Sequence, residues 1–348
     1  MISYRIATSN DNQQLIALTA SSGMDGETAL RIDRKPDFFK LLEMRGDTTV
    51  FVAEKDNVII GCICASSQQV YIGGRILPLQ YVGDLKVAAS YRNRGIGMQL
   101  CNMLADHIIP KGADLVFLNV AKGNNKPLSF FKDRPHVPDF DNIGIFKIYQ
   151  FIGRKNKPTK SRIEPCNINE DLTAFLEEHY SRYELGIIID KEKLEATTAF
   201  VIREQGKIIA AMCLQDTMQF KQNVVTKLSW KTKWLLRIIN GLSVFTGTSK
   251  MPMMHEAVRM LYIRYLAADN MNRQHIRSLI NHARQVVFEK SYSFASVGLH
   301  EKDPLNDCLN GLFKLTFNSV GMLLSIKANR DIIEKVRQGI PFEDYSLV

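Results

Sequence analysis

The sequence predicts a mixed α/β protein in which one strand-and-helix layout is written twice. Three observations predict it. Strand-like and helix-like runs alternate through the first half. A glycine turn joins one of those strands directly to an amphipathic helix. Short runs of the first half then recur, in the same order, in the second. At 348 residues the chain has room for about two domains of ordinary size. Hydrophobic residues make up 45% and charged residues 23%, which supplies packed cores and argues against wholesale disorder.

Residues 4–7 read as a short strand and 13–19 as a helix. Residues 49–54 and 58–66 read as strands joined at Asp56-Asn57, two residues that tolerate the positive φ of a hairpin turn. Residues 78–87 form the next strand. Over 97–109, Leu100, Met103, Leu104, His107 and Ile108 recur at helical spacing, and Pro110 and Gly112 end the helix. A strand at 115–120, a polar loop, a short helix near 128–131 and a strand at 143–152 complete the half. Residues 154–162 carry five basic residues in nine, one proline and no large apolar side chain, and read as a linker; a nucleic-acid-binding run is the alternative.

The second half repeats the first. Thr48-Thr49-Val50-Phe51-Val52 lies over Thr197-Thr198-Ala199-Phe200-Val201 at an offset of 149 (197 − 48), and Ile59-Ile60 and Cys64 meet Ile208-Ile209 and Cys213 at the same offset. Ala88-Ala89 and Asn93-Arg94 then match Ala267-Ala268 and Asn272-Arg273 at an offset of 179 (267 − 88). Constant offsets in constant order point to duplication, with about 30 residues (179 − 149) inserted in the second copy. The boundaries expected are 1–153 for the first domain, 154–162 for the linker and 163–348 for the second, with the insertion at about 218–254. In that insertion Val224, Leu228, Leu235, Ile239 and Leu242 fall on one helical face, and Trp230 and Trp234 stand among Lys227, Lys231, Lys233 and Arg237. A helix docked on its own domain and a membrane-surface or substrate-binding element are both open.

Several classes are set aside. No apolar run approaches the ~18 residues of a membrane span. The start, MISYRIATSND, lacks a basic segment followed by an apolar one, so a cytoplasmic location is expected. Cys62, Cys64, Cys101, Cys166, Cys213 and Cys308 include no CxxC and no zinc-like Cys/His spacing, so core packing is expected and no metal site. A net charge of +9 suggests an anionic ligand without choosing among nucleic acid, an acidic membrane and a phosphorylated cofactor.

The strongest signal is Tyr81-Val82-Gly83-Asp84-Leu85-Lys86-Val87-Ala88-Ala89-Ser90-Tyr91-Arg92-Asn93-Arg94-Gly95-Ile96-Gly97. A strand ends at Val87, a turn rich in Arg and Gly follows, and a helix begins at once. Backbone N–H groups at such a helix start, helped by the helix dipole, favour an anion. Gly95 and Gly97 let the backbone approach it, and Arg92 and Arg94 add charge, so a pyrophosphate suits the site. The run continues Met98-Gln99-Leu100, so the third glycine of a dinucleotide fingerprint is missing, and no GK[ST] completes a P-loop. No Lys or Arg follows between Met98 and Ile109, so no nucleic-acid partner is expected from this helix.

Arg92-x-x-Gly95-x-Gly97, after a strand ending Leu85-Lys86-Val87, resembles the Q/R-x-x-G-x-G/A acetyl-CoA signature of the GNAT superfamily of N-acetyltransferases. The resemblance covers the first half and, through the repeat, implies two tandem GNAT folds, the second degenerate. It implies a splayed mixed sheet with acetyl-CoA as co-substrate. The backbone of Leu85, Lys86 and Val87 would meet pantetheine, and the stretch Arg92, Asn93, Arg94, Gly95, Ile96, Gly97 and Met98 the pyrophosphate. Asn119 and Asn124 would flank the thioester. The implied reaction is direct acyl transfer to the amine of a small molecule or peptide, with the carbonyl polarised by the Val87 N–H.

Two expected parts are missing. The Tyr that such proteins place after Asn119 would fall near Phe131 or Lys132, and neither is Tyr. Gly83 stands where some relatives carry Glu. Asp84 is the candidate base, although simple alternation turns it to the face opposite Gly83 unless a bulge intervenes. Tyr81 shares the face of Gly83 and is the other candidate catalytic residue. These gaps keep open a sensor that binds acyl-CoA without turnover, and a membrane-surface or nucleic-acid-binding protein on a borrowed fold. In the second copy Met271-Asn272-Arg273-Gln274-His275-Ile276 has no glycine, so no CoA is expected there. His300-Glu301 and the final Asp344-Tyr345-Ser346-Leu347-Val348 are the other groups within reach of a site.

Overall fold

The computed structural model describes residues 1–21, 29–123, 139–155 and 161–348. The expected helix near 128–131, Asn124 and residues 156–160 of the expected linker lie outside them. The first half runs β1 (Ile2–Ile6), α1 (Asn12–Ala20), β2 (Ala29–Asp33), α2 (Lys40–Glu43), β3 (Asp47–Lys55), β4 (Val58–Ile72), β5 (Arg75–Val87), α3 (Ile96–Ile108), β6 (Leu115–Ala121) and β7 (Asp141–Ile152). The second half runs β8 (Glu164–Cys166), α4 (Glu170–Tyr180), β9 (Gly186–Ile187), α5 (Lys191–Glu195), β10 (Thr198–Glu204), β11 (Lys207–Asp216), β12 (Gln222–Lys227), α6 (Trp230–Thr246), β13 (Ala257–Val258), β14 (Met260–Ala268), α7 (Arg273–Glu289), β15 (Phe294–His300), α8 (Leu305–Cys308), β16 (Leu315–Ser325) and α9 (Arg330–Gln338).

One mixed sheet of thirteen strands crosses the molecule in the order β1-β3-β4-β5-β6-β16-β7-β15-β14-β11-β10-β8, with β9 attached to β4. The likeness of the halves extends to strand register. Thr49 faces Ala65 across β3 and β4, and Thr198 faces Leu214 across β10 and β11, both partners 149 residues on. The ladders even break at matching places, after Ala53 and after Ile202. The hairpin at Asp56-Asn57 has both residues at positive φ, 52° and 62°, as a two-residue turn matched to strand twist requires.

The last strand of each half completes the other half's sheet. β16 pairs with β6 (Leu115 opposite Ser325), β7 pairs with β15 (Phe294 opposite Ile152), and β7 and β16 pair at the centre. Sequence reading placed β7 in the first half without this exchange, because pairing between distant strands leaves no local signal. Residues 154 and 155 are also tied down. Arg154 bridges to Thr248 and the Lys155 N–H bonds Gly247 O at 2.8 Å.

β5 and β6 are parallel and pair only over Leu79–Tyr81 and Leu115–Phe117; β14 and β15 pair only over Met260–Tyr262 and Phe294–Ser296. Beyond those rungs each pair parts, so the sheet has two gaps. α3 covers one face with Ile96, Leu100, Leu104 and Ile108 buried, each worth about 1.5–3 kcal/mol of transfer free energy. α1 and α2 cover the opposite face, packing Leu15, Phe38 and Leu42 on Val50, Val52, Cys62 and Cys64. All six cysteines are free thiols, and burial pushes Cys62 up to about 12. Among the described residues no group of His, Cys, Asp and Glu is placed to hold a metal ion.

Candidate active site

At the end of β5 one residue of β4 faces two of β5. Cys62 pairs with Lys86 and Cys64 with Gly83, which leaves Asp84 and Leu85 opposite Ile63. Asp84 takes φ +52°, a conformation Asp adopts more readily than most residues, and the Cys62 thiol donates to its carbonyl at 3.3 Å. The bulge corrects the reading from simple alternation. Asp84 stands on the α1 and α2 face, where its Oδ2 meets Arg34 Nη2 at 2.7 Å and its Oδ1 meets Lys86 Nζ at 3.8 Å. Arg34 is buried and stacks on Phe38, and its Nε and Nη1 have no partner among the described residues.

Tyr81 is placed where strand alternation puts it, two residues before Gly83 on the same face. It belongs to the packed centre. The Arg45 guanidinium lies 3.5 Å over its ring, Phe117 meets its edge, and burial pushes its hydroxyl up to about 12. Such a group is protonated near pH 7, so it is not a base there.

Past Val87 the chain makes a 3-10 turn over Ala89–Tyr91, then Arg92, Asn93, Arg94 and Gly95 lead into α3. Asn93 and Gly95 have φ of 61° and 77°. Gly95 is the helix cap and carries no capping side chain, and the first intrahelical bond runs from Gln99 N to Gly95 O at 3.0 Å. The amides of Ile96, Gly97 and Met98 therefore have no acceptor within the helix. A Cβ on Gly95 would meet no atom within 4 Å, so the space before the helix is open. Arg92 Nε bonds Val87 O at 3.1 Å and Arg94 stacks on Tyr91, which places both cations beside the turn.

Leu85 and Val87 pack partly against the α3 side, and Ala88 N donates to Ile60 O at 2.8 Å. Because alternate residues of a strand turn their N–H groups to opposite edges, the Val87 N–H faces the gap toward β6. Asn119 lies across that gap. Its Oδ1 accepts from Tyr345 Oη at 3.1 Å, and its buried Nδ2 has no partner among the described residues. Asn124 lies outside the described residues.

The second half handles the same places differently. Only Asn272 separates its 3-10 turn, Asp269–Met271, from α7, so the turn is shorter than the matched offset suggests. Asn272 Oδ1 accepts from Gln274 N at 2.9 Å and His275 N at 3.2 Å, so the chain's own side chain takes the helix start. The gap between β14 and β15 is crossed by the C-terminal segment. Asp344 bonds Arg264 at 2.5 Å, and Tyr345 packs so closely on Gly298 that a Cβ there would overlap its ring. Glu343 pairs with Arg45 of the first half at 2.7 Å. Lys221 is buried, donates to Ser346 O at 3.5 Å and to Val348 O, and burial pushes its amine down to about 7.

Beside these ion pairs lies a cavity of about 400 Å³ between the halves, walled by Arg45, Leu79, Phe117, Ile187, Arg264 and Phe342 among others. Its arginines and their acidic partners are 298 and 80 residues apart in sequence, so no local pattern could have announced them. His300 and Glu301 serve structure: His300 Nε2 bonds Ile143 O at 3.0 Å and Glu301 Oε1 accepts from Ile145 N at 2.9 Å, both fastening β7.

Residues 13–134 match the model of the Acetyltransferase (GNAT) family. No curated protein matches the chain. Among solved structures, a GCN5-related N-acetyltransferase from Anabaena variabilis is similar at a TM-score of 0.54 and 12% identity, over 93% of this chain and 72% of that one. Saccharomyces cerevisiae N-myristoyltransferase, solved with bound myristoyl-CoA, is similar at a TM-score of 0.63 and 11% identity, over 93% of this chain and 78% of that one. A probable N-acyltransferase from Enterococcus faecalis is similar at 0.55 and 11%, over 94% and 73%. At these identities the likeness is one of fold, and it extends over both halves.

Proposed function

We propose that this chain, whose residues 13–134 match the GNAT family model, is an acyl-CoA-dependent N-acyltransferase acting from its first half. The observation that carries the reading is the open start of α3 behind Gly95, next to a strand gap lined by the Val87 amide and by Asn119 Nδ2, which has no partner among the described residues. A diphosphate suits the free amides of Ile96, Gly97 and Met98 together with Arg92 and Arg94. A pantetheine arm suits the gap, where Leu85, Lys86 and Val87 offer backbone and Asn119 an amide donor.

The thioester, when bound, supplies the activated acyl group. The chain's own groups do the rest. The Val87 N–H stands ready for the carbonyl oxygen as negative charge develops on it. Asp84, fixed by Arg34, receives the amine and its proton on the α1 and α2 face. Arg31 to Phe39 and the cavity between the halves form the acceptor side, suited to a small-molecule or peptide amine. Acetyl-CoA is the donor this reading favours. A longer acyl-CoA is the second reading, favoured by the fold likeness to a protein solved with myristoyl-CoA. The halves are read as an internal duplication with boundaries at 1–153 and 163–348, the second lacking the cofactor turn.

Calorimetric titration with acetyl-CoA and with myristoyl-CoA tests this, beside a Gly95→Asp/Gly97→Asp variant. Saturable binding near one site per chain, lost in the variant, is expected; release of free CoA with an amine then separates an enzyme from a sensor. Folded protein that binds no CoA thioester at all sinks the reading.

A further inference from the structure

α6 sits outside the site just described, and its exposed face is unlike the rest of the surface. Of the sixteen exposed large apolar side chains among the described residues, seven lie on this one helix: Trp230, Trp234, Leu235, Ile238, Leu242, Val244 and Phe245. The helix inserts less apolar surface into its own domain than the sequence suggests. Val224 belongs to β12, Leu235 and Leu242 point outward, and Leu236, Ile239 and Ser243 face inward with Leu228 on Val225, Met251, Val258 and Met260.

The inward side is firmly held. Ser229 caps the first turn, Gly247 at φ +60° ends the last, and Asn240 clasps the Met251 backbone through two bonds of 2.9 and 2.7 Å. The apolar face is thus presented on a rigid helix. Charge follows the same plan. Between Asp216 and Glu256 there is no acidic residue, while Lys227, Lys231, Lys233, Arg237 and Lys250 all fall there. Lys231 lies 5.9 Å from the Trp230 ring and Arg237 5.3 Å from the Trp234 ring, so aromatic and cationic groups alternate over one surface.

We propose that α6 docks this protein in the plane of an anionic lipid bilayer, with its tryptophans at headgroup level and its lysines and arginine toward lipid phosphates. Apolar residues with flanking cations and no acids match that surface on both counts. A second copy of this chain would bring the same cations face to face. A nucleic acid would leave the apolar centre of the face without a partner. At 17 residues α6 lies on a membrane rather than crossing it, and no helix among the described residues is long and apolar enough to cross. β12, beneath α6, pairs with β2, so the helix sits on the same small sheet that leads into residues 34–39. The inference does not depend on the acyltransferase reading.

The chain has two tryptophans, both on α6, so tryptophan emission, excited at wavelengths its eleven tyrosines do not absorb, reports on this helix alone. The experiment is vesicle co-sedimentation with phosphatidylcholine alone and with 30% phosphatidylglycerol, with tryptophan emission read on the same samples. The full chain should partition onto the anionic vesicles about tenfold more than onto neutral ones, lose most of that in 1 M salt, and shift its emission to the blue. Trp234→Ser/Phe245→Ser and Lys231→Gln/Arg237→Gln, all at exposed positions, should each lower partition about tenfold with unchanged thermal unfolding. Absence of partition and blue shift in the full chain overturns the proposal, as does a Trp234→Ser/Phe245→Ser variant that binds as well as the parent. A dimer dispersed by that same variant, without vesicle binding, assigns the face to a second copy instead.

Discussion

α3 and α7 begin at corresponding points of the two halves, and they end their preceding turns in opposite ways. Before α3 the chain spends four residues, holds Gly95 at φ +77° and leaves three helix amides open. Before α7 it spends one, and Asn272 satisfies two of the corresponding amides itself. The gaps beside these helices differ in the same sense. Between β5 and β6 the buried Asn119 Nδ2 has no partner among the described residues; between β14 and β15 the segment Glu343–Ser346 crosses, fastened by Arg264. Strand register and even a ladder break are shared, so the fold tolerates both solutions. The halves differ here in loop length, in which groups satisfy the exposed backbone and in the segment that crosses the second gap, and under the proposed reading these decide which half admits a ligand.

The largest effect should come from unfastening the filled gap. Arg264 and Asp344 form a pair whose side chains are 2% and 4% exposed, so Arg264→Met leaves a buried carboxylate without its cation. A loss of about 3–5 kcal/mol is expected in denaturant unfolding. A loss below about 1 kcal/mol, typical of exposed pairs, would show that the segment is not held by this bond.

Lys221 sharpens the same point through pH. It is buried among Arg34, Arg45, Asp84 and Asp344 and bonds the segment's carbonyls. The unfolded chain keeps the Lys221 proton up to about 10.5, the folded chain only up to about 7. Between those values the unfolded state binds more protons, so stability rises with pH, by at most about 1.4 kcal/mol per unit. Lys221→Met should remove that slope between pH 7 and 8.5 and stabilise the protein at pH 7. An unchanged slope would mean that Lys221 is charged in the folded protein.

How much of this was legible depends on range. The repeat at offset 149 was visible as Thr48–Val52 over Thr197–Val201, and it holds in the register of β3·β4 and β10·β11. The turn at Arg92–Gly97 was visible because helix starts and glycine turns are written in neighbouring residues. The exchange of β7 and β16 was not, nor were Arg45–Glu343 and Arg264–Asp344, since their partners meet only after the sheet closes. Asp84 sits between these cases. Its number was clear, but the bulge that turns it to Arg34 depends on how β4 pairs. On α6 a helix was legible but its face was not: of the five residues expected on one side, Val224 lies in β12, Leu228 and Ile239 pack inward, and Leu235 and Leu242 point outward, because tertiary packing rather than spacing alone decides which residues are covered.

The smallest effect bears most directly on the two helix starts. Asn272→Ala removes the side chain that caps α7 and should cost about 1 kcal/mol of stability, read as a lowered midpoint at unchanged denaturant slope. It returns the Gln274 and His275 amides to an unsatisfied state, which makes α7 resemble α3 in that one respect. It does not lengthen the turn or move the positive φ of Asn270 and Met271 to the capping position that Gly95 holds before α3, and it leaves the neighbouring gap filled by Tyr345. Acyl-CoA stoichiometry should therefore stay at one per chain, measured by the same calorimetric titration. Two equivalents bound by the variant would mean that a single side chain, rather than the turn and the filled gap together, separates the halves.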